Sequence, residues 1–339
     1  MKATLAIVLL NYNGEKHLAT FLPNLVKYAD GHSIIIIDNS STDASIAYVQ
    51  NNYSNIEIHI LARNFGFAAG YNEGLSLIKD RFEHYLLLNT DVEVSENFTR
   101  PLLAQMQKEN TAACQPKILS YTKPTHFEHA GASGGFLDIN SYPFCRGRIM
   151  DQCEEDKGQY DAIIPIQWAS GAALLLKADL FHEIDGFDAD FFAHMEEIDL
   201  CWRIRNLGYE ITCVPESVVY HLGGGTMPYD SPLKLFLNFR NNLLMILKNH
   251  YGFWGPRIFI RMCLDGIAGI HFIFKGKFSS CWMVFLAHMS FYRHFKGTLS
   301  KRKMIKRMPV SETIYKGNIL YDYYIKGNKS YSKLNKRLF

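Results

Sequence analysis

The chain has 339 residues, 48% of them hydrophobic, which is enough for one large domain with an appendage. Its formal net charge is +3, but residues 1–232 carry 16 Lys and Arg against 30 Asp and Glu, while residues 233–339 carry 20 against 3. The seven cysteines form no CxxC pair, which argues against a zinc site and favours reduced thiols in a cytosolic setting. We therefore predict an acidic domain over 1–232 and a basic region over 233–339 that prefers an anionic surface.

The first hundred residues alternate strand and helix patterns, which favours a parallel sheet with crossover helices. Continuous β-branched or aliphatic runs are typical of strands buried on both faces, and they lie at 5–10 and 34–37. Two more strands are expected at 57–61 and 85–88. Helices are expected between them and after them, at 15–28, 43–52, 68–79 and 97–109. The opening run MKATLAIVLL stops at Asn11, so we interpret it as the first strand and not as a signal peptide. Residues 120–162, rich in Gly, Pro, Tyr and Asp, are expected to be loop or short irregular pieces.

Polar clusters follow the first two predicted strands. Ligands of open α/β sheets bind beyond the carboxyl ends of the strands, and there the first strand runs into Asn11 and Asn13. The second runs into DNSSTD, where Asp38 can accept hydrogen bonds from a base or a ribose. The same stretch also fits an ordinary turn into a helix capped by Ser41 or Thr42, so the residues alone leave both interpretations open.

The segment RNFGFAAGYNEG, from Arg63 to Gly74, has a glycine at every fourth position. Gly66, Gly70 and Gly74 would line one face of a helix, and each costs about 1 kcal/mol relative to alanine there, so a close neighbour or ligand is expected. Arg63 could meet a phosphate or simply lie on the surface. No P-loop and no GxGxxG follows the first strand, which argues against both of those nucleotide sites.

Two residues are candidates for holding a divalent cation. Asp91 closely follows a buried strand, and a cation bridging a diphosphate is a suitable partner for such a carboxylate. Such Mg²⁺ or Mn²⁺ sites use one or two carboxylates and take their other ligands from phosphate and water. His221 ends a further strand-like run, 217–220, and imidazole is an acceptable ligand for Mn²⁺. A histidine before a glycine run is also commonly just a loop residue.

Three carboxylates, Glu196, Glu197 and Asp199, fall in the first turn of a predicted helix that Gly208 ends. Glu197 extends the apolar stripe of this helix, so its carboxylate is expected at the mouth of the core, where it could act as a base. Acidic residues also simply suit a helix N-terminus. Asp199 and Arg203 are four residues apart and are expected to pair.

Taken together and in this order, several segments resemble the family 2 glycosyltransferases with the GT-A fold, and especially the rhamnosyltransferase-like branch that builds bacterial surface polysaccharides. The segments are VLLNYNG, IIDNSSTD, NFGFAAGYNEG, LLLNTDV, WASGAALLLKADLF, GFDADFFAHMEEIDLCWR and His221. The resemblance implies an α/β fold of GT-A type, with a mostly parallel sheet flanked by helices and a Rossmann-like nucleotide-binding half. Residues 233–339 would follow this domain as a helical, basic and aromatic extension.

The resemblance implies sugar transfer from a nucleotide-diphospho-sugar to an acceptor hydroxyl, with inversion and with Mn²⁺ or Mg²⁺ as cofactor. Asp38 would contact the nucleotide base, and His221 would be an additional metal or diphosphate contact. Asn89 replaces the first acid of the DxD-type motif, which leaves Asp91 as the surviving metal ligand. We assign the following residues to the nucleotide sugar: Asn11, Asn13, Asp38, Arg63, Asn64, Gly70 and Asn89.

The same resemblance places Glu197 at the position of the catalytic base, where aspartate is more usual. The longer side chain leaves open whether Glu196 or Glu197 is the base. Residues assigned to the acceptor side of the cleft are Trp168, Gly171, Ala172 and Asp199.

Two strongly apolar stretches, 258–274 and 278–292, lie in the basic region. Arg261 and Asp265 interrupt the first, and the second is shorter than the ~20 residues of a spanning helix. Flanked by lysines and arginines, they could lie in the membrane interface or form a buried helical subdomain with a solvated basic face. We expect a cytoplasmic enzyme, peripheral on the inner face of the cell membrane, with a lipid-linked or saccharide acceptor.

Two other functions compete with this one. A nucleotidyltransferase of similar fold would need a glycine-rich basic loop after the first strand, and NYNG is not such a loop. A non-enzymatic protein could use the basic tail to bind membrane or nucleic acid. The aromatic residues of the tail lie in apolar runs and are not interleaved with arginines, so nucleic acid is not an expected partner.

Overall fold

The structure, a computed structural model, describes residues 2–223, 231–308 and 313–339. The elements up to residue 106 are β1 (Ala3–Asn11), α1 (Glu15–Tyr28), β2 (Ser33–Asp38), α2 (Ser45–Asn52), β3 (Glu57–Ile60), α3 (Gly66–Ser76), β4 (Phe82–Leu88), β5 (Val92–Val94) and α4 (Thr99–Met106). The next are β6 (Thr111–Ser120), β7 (Gly135–Asp138), β8 (Pro143–Cys145), β9 (Arg148–Ile149), β10 (Gln152–Cys153), β11 (Ile164–Pro165), β12 (Ala173–Lys177), α5 (Ala178–Glu183), α6 (Glu196–Asn206) and β13 (Glu210–His221). The last are α7 (Pro232–Asn249), α8 (Gly255–Phe274), α9 (Phe278–Met304), β14 (Ile314–Tyr315) and α10 (Ile319–Tyr324).

The large sheet has the strand order β11-β13-β6-β12-β4-β1-β2-β3, and β5 pairs with β13 at one end. Strands β1 to β4 are mutually parallel, β12 runs antiparallel between β4 and β6, and β6 is parallel to β13. The predicted mostly parallel α/β fold is therefore confirmed. Because β1, β2 and β4 run in the same direction, the residues that follow them lie on one edge of the sheet.

The predicted strands and helices of the first hundred residues all form, with ends displaced by three residues or fewer. The centres of β1, β2 and β4 are buried on both faces, since separate apolar cores lie above and below the sheet. The edge strand β3 is only partly buried. In α3 a Cβ on Gly74 would lie 2.2 Å from the Cδ1 of Ile37, so the predicted glycine face lets the helix contact β2 closely.

Residues 120–162 are more ordered than the composition predicts. They form the short antiparallel strands β7 to β10 of a second sheet, and β14, from the C-terminal part of the chain, adds to it parallel to β7. Strands of two to four residues contain too few positions to produce a visible alternation, which is why the sequence pattern did not reveal them.

The C-terminal region packs on the body of the molecule. Buried residues of α7, together with Tyr315, Ile319 and Leu334, share one apolar core with the large sheet. The ring of Phe339 contacts the Phe136 ring edge to face and packs at a tilt against the Tyr315 ring. In the described ranges, no helix combines the length and apolar content needed to cross a bilayer. The division at residue 232 stays a prediction.

Candidate active site

The first cluster of the site joins the ends of β1 and β2. Asn11 is fully buried and donates its amide hydrogens to Asp38 at 2.9 Å and to the hydroxyl of Ser45 at 2.9 Å. Asp38 also accepts from the backbone N–H of Ser41 at 2.9 Å. Asn13 has a left-handed backbone, with φ of 50°, and its side-chain oxygen accepts from the backbone of Thr42 at 2.7 Å. Helix α2 begins at Ser45 and has no side-chain cap, so the prediction that Ser41 or Thr42 caps it was wrong. Both residues instead belong to the hydrogen-bond network of Asp38 and Asn13.

The second cluster precedes α3. The amide of Asn39 donates to the side-chain oxygen of Asn64 at 3.0 Å and to the carbonyl of Gly66 at 2.9 Å. A Cβ on Gly70 would lie 3.0 Å from the same amide, so glycine is needed for this approach. Arg63 is exposed and places its guanidinium 4.7 Å from the centre of the Phe65 ring. Asn64 and Gly70 are thus brought together beside the end of β2, and Arg63 lies at the outer side of the same loop.

The third cluster is an ion-paired chain around His221 at the end of β13. The ring Nε2 lies 3.2 Å from Oδ1 of Asp91 and 3.4 Å from the amide nitrogen of Asn89. The other ring nitrogen, Nδ1, lies 3.4 Å from Oε2 of Glu128. Asp91, Glu128 and His221 are all buried. The structure therefore joins the two predicted cation ligands, and it adds Glu128, which the sequence analysis missed.

The charges in this cluster support one another. Burial disfavours the charged imidazole, but the contacts with Asp91 and Glu128 outweigh it and raise the pKa of His221 to about 10. Burial likewise opposes ionisation of both carboxylates, and His221 overcomes it, so the pKa values of Asp91 and Glu128 are below their usual range. At neutral pH Asp91 is therefore ionised and His221 is protonated. A metal ion bound by His221 would have to displace the proton on Nε2, because only a neutral imidazole binds a metal.

The chemistry of this donor set fits a divalent cation bound together with a diphosphate. A carboxylate and an imidazole lie side by side in Asp91 and His221, and Glu128 at the far ring nitrogen is the kind of outer partner that orients a metal-binding histidine. In the described part of the chain, no group of three or more His, Cys, Asp or Glu side chains is placed to share one ion. A metal at this position would need its remaining ligands from phosphate and water.

The fourth cluster is the N-terminus of α6. Glu196 and Glu197 begin this helix, and Met195 before them has a left-handed backbone with φ of 70°. In the described residues, Oε2 of each glutamate has no hydrogen-bond partner. Burial raises the pKa of Glu197 to about 7, against the opposing effect of backbone N–H groups at the helix start. Burial and the neighbouring charge of Glu197 raise the pKa of Glu196 well above its usual value.

Exposure distinguishes the two glutamates. A base must reach the proton that it takes, and Glu197 is only partly buried. Glu196 is more deeply buried. Glu197 is therefore the better candidate for the base.

Backbone contacts bring the cation cluster and the base to the same edge of the sheet. The N–H of Asn89 donates to the carbonyl of Ala172 at 3.0 Å, next to Gly171. A Cβ on Gly171 would lie 3.8 Å from the Cβ of Glu197 and 3.3 Å from the ring of Phe67. Gly171 therefore borders Glu197, as the acceptor-side assignment requires.

The other three residues assigned to the acceptor side are buried. Trp168 is 4% exposed and donates its indole N–H to the carbonyl of Phe136 at 3.0 Å. Ala172 is buried too, and contributes its carbonyl. Asp199 is fully buried and is held by Arg203 at 2.9 Å and Lys248 at 2.7 Å. The predicted pair with Arg203 is confirmed, but this carboxylate cannot face an acceptor.

Glu128 lies in the 120–162 segment, where no pattern marked it. A second omission is the pair Arg240 and Asn241 of α7, which contacts the loop before α6. Buried polar residues inside the apolar run LNFRNNLLMIL were the available signal, because polar groups in a core are expected to have partners.

Residues 6–169 match the model of the family described as "Glycosyl transferase family 2". This match covers most of β1 and all of β2 to β11. It includes the first two clusters and Asn89, Asp91 and Glu128 of the third, but not His221. Together with the predominantly parallel sheet and the clusters at its carboxyl edge, it shows a glycosyltransferase whose residues 6–169 are similar to family 2.

Two of its relatives are named as a hexosyltransferase and a rhamnosyltransferase. The chain is 23% identical over 248 residues to the low-salt glycan biosynthesis hexosyltransferase Agl10 of Haloferax volcanii, covering 71% of this chain and 74% of the relative. It is 22% identical over 268 residues to the N-acetylglucosaminyl-diphospho-decaprenol L-rhamnosyltransferase of Mycobacterium tuberculosis, covering 75% and 87%. The expected similarity to rhamnosyltransferases and hexosyltransferases is confirmed.

A solved structure shows the same fold. The crystal structure of GalNAc-T7 with UDP, GalNAc and Mn²⁺ aligns with a TM-score of 0.56 at 16% identity. The alignment covers 73% of this chain, which spans about half, 48%, of that longer chain.

Proposed function

We propose that this glycosyltransferase transfers a sugar from a nucleotide-diphospho-sugar to an acceptor hydroxyl with inversion at the anomeric carbon. The observation that carries the proposal is the placement of Glu197, with its pKa raised to about 7 and Oε2 unpartnered in the described structure, on the same sheet edge as Asp91. The GalNAc-T7 structure contains UDP and Mn²⁺, which supports a nucleotide donor and a divalent cation.

In the proposed reaction, Glu197 takes the proton of the acceptor hydroxyl. At the same time the acceptor oxygen forms a bond to the anomeric carbon of the donor sugar. The bond from that carbon to the phosphate oxygen breaks, and the nucleoside diphosphate leaves with the electron pair. Asp38 would hold the nucleotide base or ribose, in the orientation that Asn11 and Ser41 give it. Attack from the face opposite the leaving group inverts the configuration.

Asp91 and His221 would hold the divalent cation. When bound, the cation would neutralise the charge that develops on the departing diphosphate. Asn89, between His221 and Ala172, would keep this cluster next to the segment that borders Glu197.

We further propose a lipid-linked acceptor and a position on the inner, cytoplasmic face of the cell membrane. One relative is named for an acceptor on diphospho-decaprenol, and all seven cysteines here are free thiols. The hairpin of α8 and α9 would provide the contact with the lipid.

The polarity of this hairpin is inverted relative to an ordinary surface helix. On α8, Asp265 is fully buried and pairs with Arg261 at 2.8 Å, and the Arg261 guanidinium lies 3.7 Å from the centre of the Tyr142 ring. The charges that interrupt the apolar run therefore point into the protein. Large apolar side chains point outward instead: Phe259, Ile267, Ile270, Phe274, Phe278, Trp282 and Phe285.

We propose that these exposed apolar side chains form a contact surface, because soluble proteins rarely expose many large apolar side chains together. Lys275 and Lys277 at the turn of the hairpin are exposed and would meet the anionic lipid headgroups.

The proposed reaction is tested by incubating the full chain and Mn²⁺ with dTDP-rhamnose, UDP-hexoses and GDP-mannose, each with a short-chain N-acetylglucosaminyl-diphospho-prenol acceptor. We expect one donor to give a glycolipid product, and proton NMR to show an anomeric configuration opposite to that of the donor. The Glu197→Gln variant serves as the matched control. A product that retains the donor configuration would contradict the mechanism.

A further inference from the structure

The segment before α6 is bent in an unusual way. Phe192, His194 and Met195 all have left-handed backbone conformations, with φ of 63°, 67° and 70°. Residues with side chains rarely adopt this conformation, and they keep it only where the surroundings enforce it. Met195 directly precedes the two glutamates of α6, so the path of this segment determines where those glutamates point.

The same segment also contacts the other side of the site. The carbonyl of Phe192 accepts from the backbone N–H groups of Phe67 at 3.0 Å and Ala68 at 3.3 Å, at the start of α3. Residues 190–195 therefore connect the donor-side loop to the helix that carries Glu197.

One side chain of α7 holds this segment. The Nδ2 group of Asn241 donates to the carbonyls of Phe191 at 3.0 Å, Ala193 at 2.9 Å and His194 at 2.7 Å. Asn241 is fully buried, so solvent cannot replace these bonds.

Arg240 fixes the orientation of Asn241. Its Nε donates to Oδ1 of Asn241 at 2.8 Å, which leaves only the Nδ2 side facing the segment. Its Nη2 donates to the carbonyls of Asp190 at 2.8 Å and Phe191 at 3.1 Å. Farther along α7, Lys248 pairs with Asp188 at 2.5 Å and also with α6, so the helix is anchored independently of Asn241.

We propose that Asn241, oriented by Arg240, is a positioning residue for the catalytic base. It holds residues 191–194 in the strained path that presents Glu197 at the sheet edge. The C-terminal region would then contribute to catalysis through the position of Glu197, and not only to membrane contact. This inference rests on the proposed role of Glu197 as the base.

The test compares Asn241 with its neighbour Asn242, which is equally buried but donates to the carbonyl of Ser141 at 2.9 Å, away from the segment. The variants are Asn241→Ala, Asn241→Asp and the matched control Asn242→Ala. Asn241→Asp keeps the size and the Arg240 partner but lacks the Nδ2 donor, so it replaces the alanine variant if that one does not fold.

We expect both Asn241 variants to lower kcat about 10-fold or more, because a small displacement of a reacting group is costly, while the donor KM changes by less than about threefold. The acid limb of the kcat/KM pH profile should move to lower pH, since a loosened segment lets water reach Glu197. Asn242→Ala should keep kcat and the pH limb of the wild type even where its Tm is lower.

Hydrogen exchange of the peptide 187–200 gives a second measurement that needs no substrate. Exchange should be faster in the Asn241 variants than in Asn242→Ala. If the Asn241 variants exchange at the wild-type rate, the positioning role is overturned. It is also overturned if Asn242→Ala loses as much kcat as the Asn241 variants do. If the wild type transfers no sugar at all, the proposed function fails, whereas the exchange comparison still decides whether Asn241 holds the segment.

Discussion

The backbone N–H of Asn89 donates to the carbonyl of Ala172 at 3.0 Å, and this bond joins the two halves of the site. Asn89 follows β4 and precedes Asp91 by two residues, while Ala172 follows Gly171, which borders Glu197. A cation ligand and a candidate base, more than a hundred residues apart in the sequence, are therefore placed on one edge of the sheet.

Replacing the candidate base should abolish turnover while leaving donor binding intact. We expect Glu197→Gln to lower kcat by about 10²-fold or more, the usual scale of general base catalysis, because glutamine cannot accept the proton. Donor affinity, measured by isothermal titration, should stay within about threefold. Glu196→Gln is the comparison, and a larger loss there than at Glu197 would assign the base to Glu196.

Activity should depend on pH through the same carboxyl group. Because Glu197 must be ionised and its pKa is raised to about 7, kcat/KM should fall about tenfold per pH unit below pH 7 and level off above it. A limb near pH 4.5, the ordinary range of glutamate, would mean that the group is not desolvated in solution.

The raised pKa of Glu197 also predicts how the stability of the protein changes with pH. The folded state holds the Glu197 proton more tightly than the unfolded state does. The stabilisation from this protonation is therefore present below the ordinary glutamate pKa and is lost as pH rises to about 7. Urea unfolding at pH 8 should therefore show a larger free energy of unfolding for Glu197→Gln than for the wild type. The two should differ less at pH 4.

Removing the carboxylate of Asp91 should uncouple nucleotide binding from the cation. In the wild type, Mn²⁺ should increase the Tm shift produced by UDP or dTDP, because a ligand that binds only the folded state stabilises it by mass action. Asp91→Asn should lose this increment, as should the wild type in EDTA. Glu96→Gln, an exposed carboxylate nearby, should keep it. A full Mn²⁺ increment in Asp91→Asn would remove that residue from the cation site.

The outward apolar side chains of the α8–α9 hairpin should govern membrane binding. Replacing Phe274, Phe278 and Trp282 together with serine should lower partitioning onto phosphatidylglycerol vesicles at least tenfold, because each large aromatic removed forfeits on the order of 1 kcal/mol or more of burial. Vesicle flotation measures this. Deleting 233–339 would be a poor test, since α7 forms part of the common core.

The control for this experiment is a second exposed apolar group outside the hairpin. Tyr321, Tyr324 and Ile325 are at least half exposed, and their serine variant should float like the wild type. If both triple variants lose binding equally, the hairpin is not the specific contact.

Alanine at Gly74 should destabilise the sheet-facing side of α3. Its Cβ would lie 2.2 Å from Cδ1 of Ile37, and overpacking of this kind typically costs about 1–3 kcal/mol. Urea denaturation measures the loss, which should shrink when Ile37→Ala is added. Gly266, a helical glycine with no atom within 4 Å of its Cβ position, is the control, and alanine there should be neutral or stabilising.

Local sequence patterns were sufficient to predict the strands and helices of the first hundred residues and part of the candidate site. The predicted helix over 15–28 matches α1 residue for residue, and the aliphatic runs marked β1, β2 and β4 because strands buried on both faces carry few polar residues. Clusters at the ends of parallel strands were predictable as well, since the direction of those strands places Asn11 and Asp38 together.

The sequence by itself therefore determined strands β1 to β4, their common edge and the polar residues that follow them, because hydrophobic periodicity and turn chemistry act over a few residues. Only the tertiary structure decided that Asp199 forms a buried ion pair with Lys248 and that Glu128 pairs with His221. It also decided that Asn241 donates to the loop before Glu197. Those contacts join segments from about fifty to nearly a hundred residues apart, and their free energy depends on burial and charge that no local pattern records.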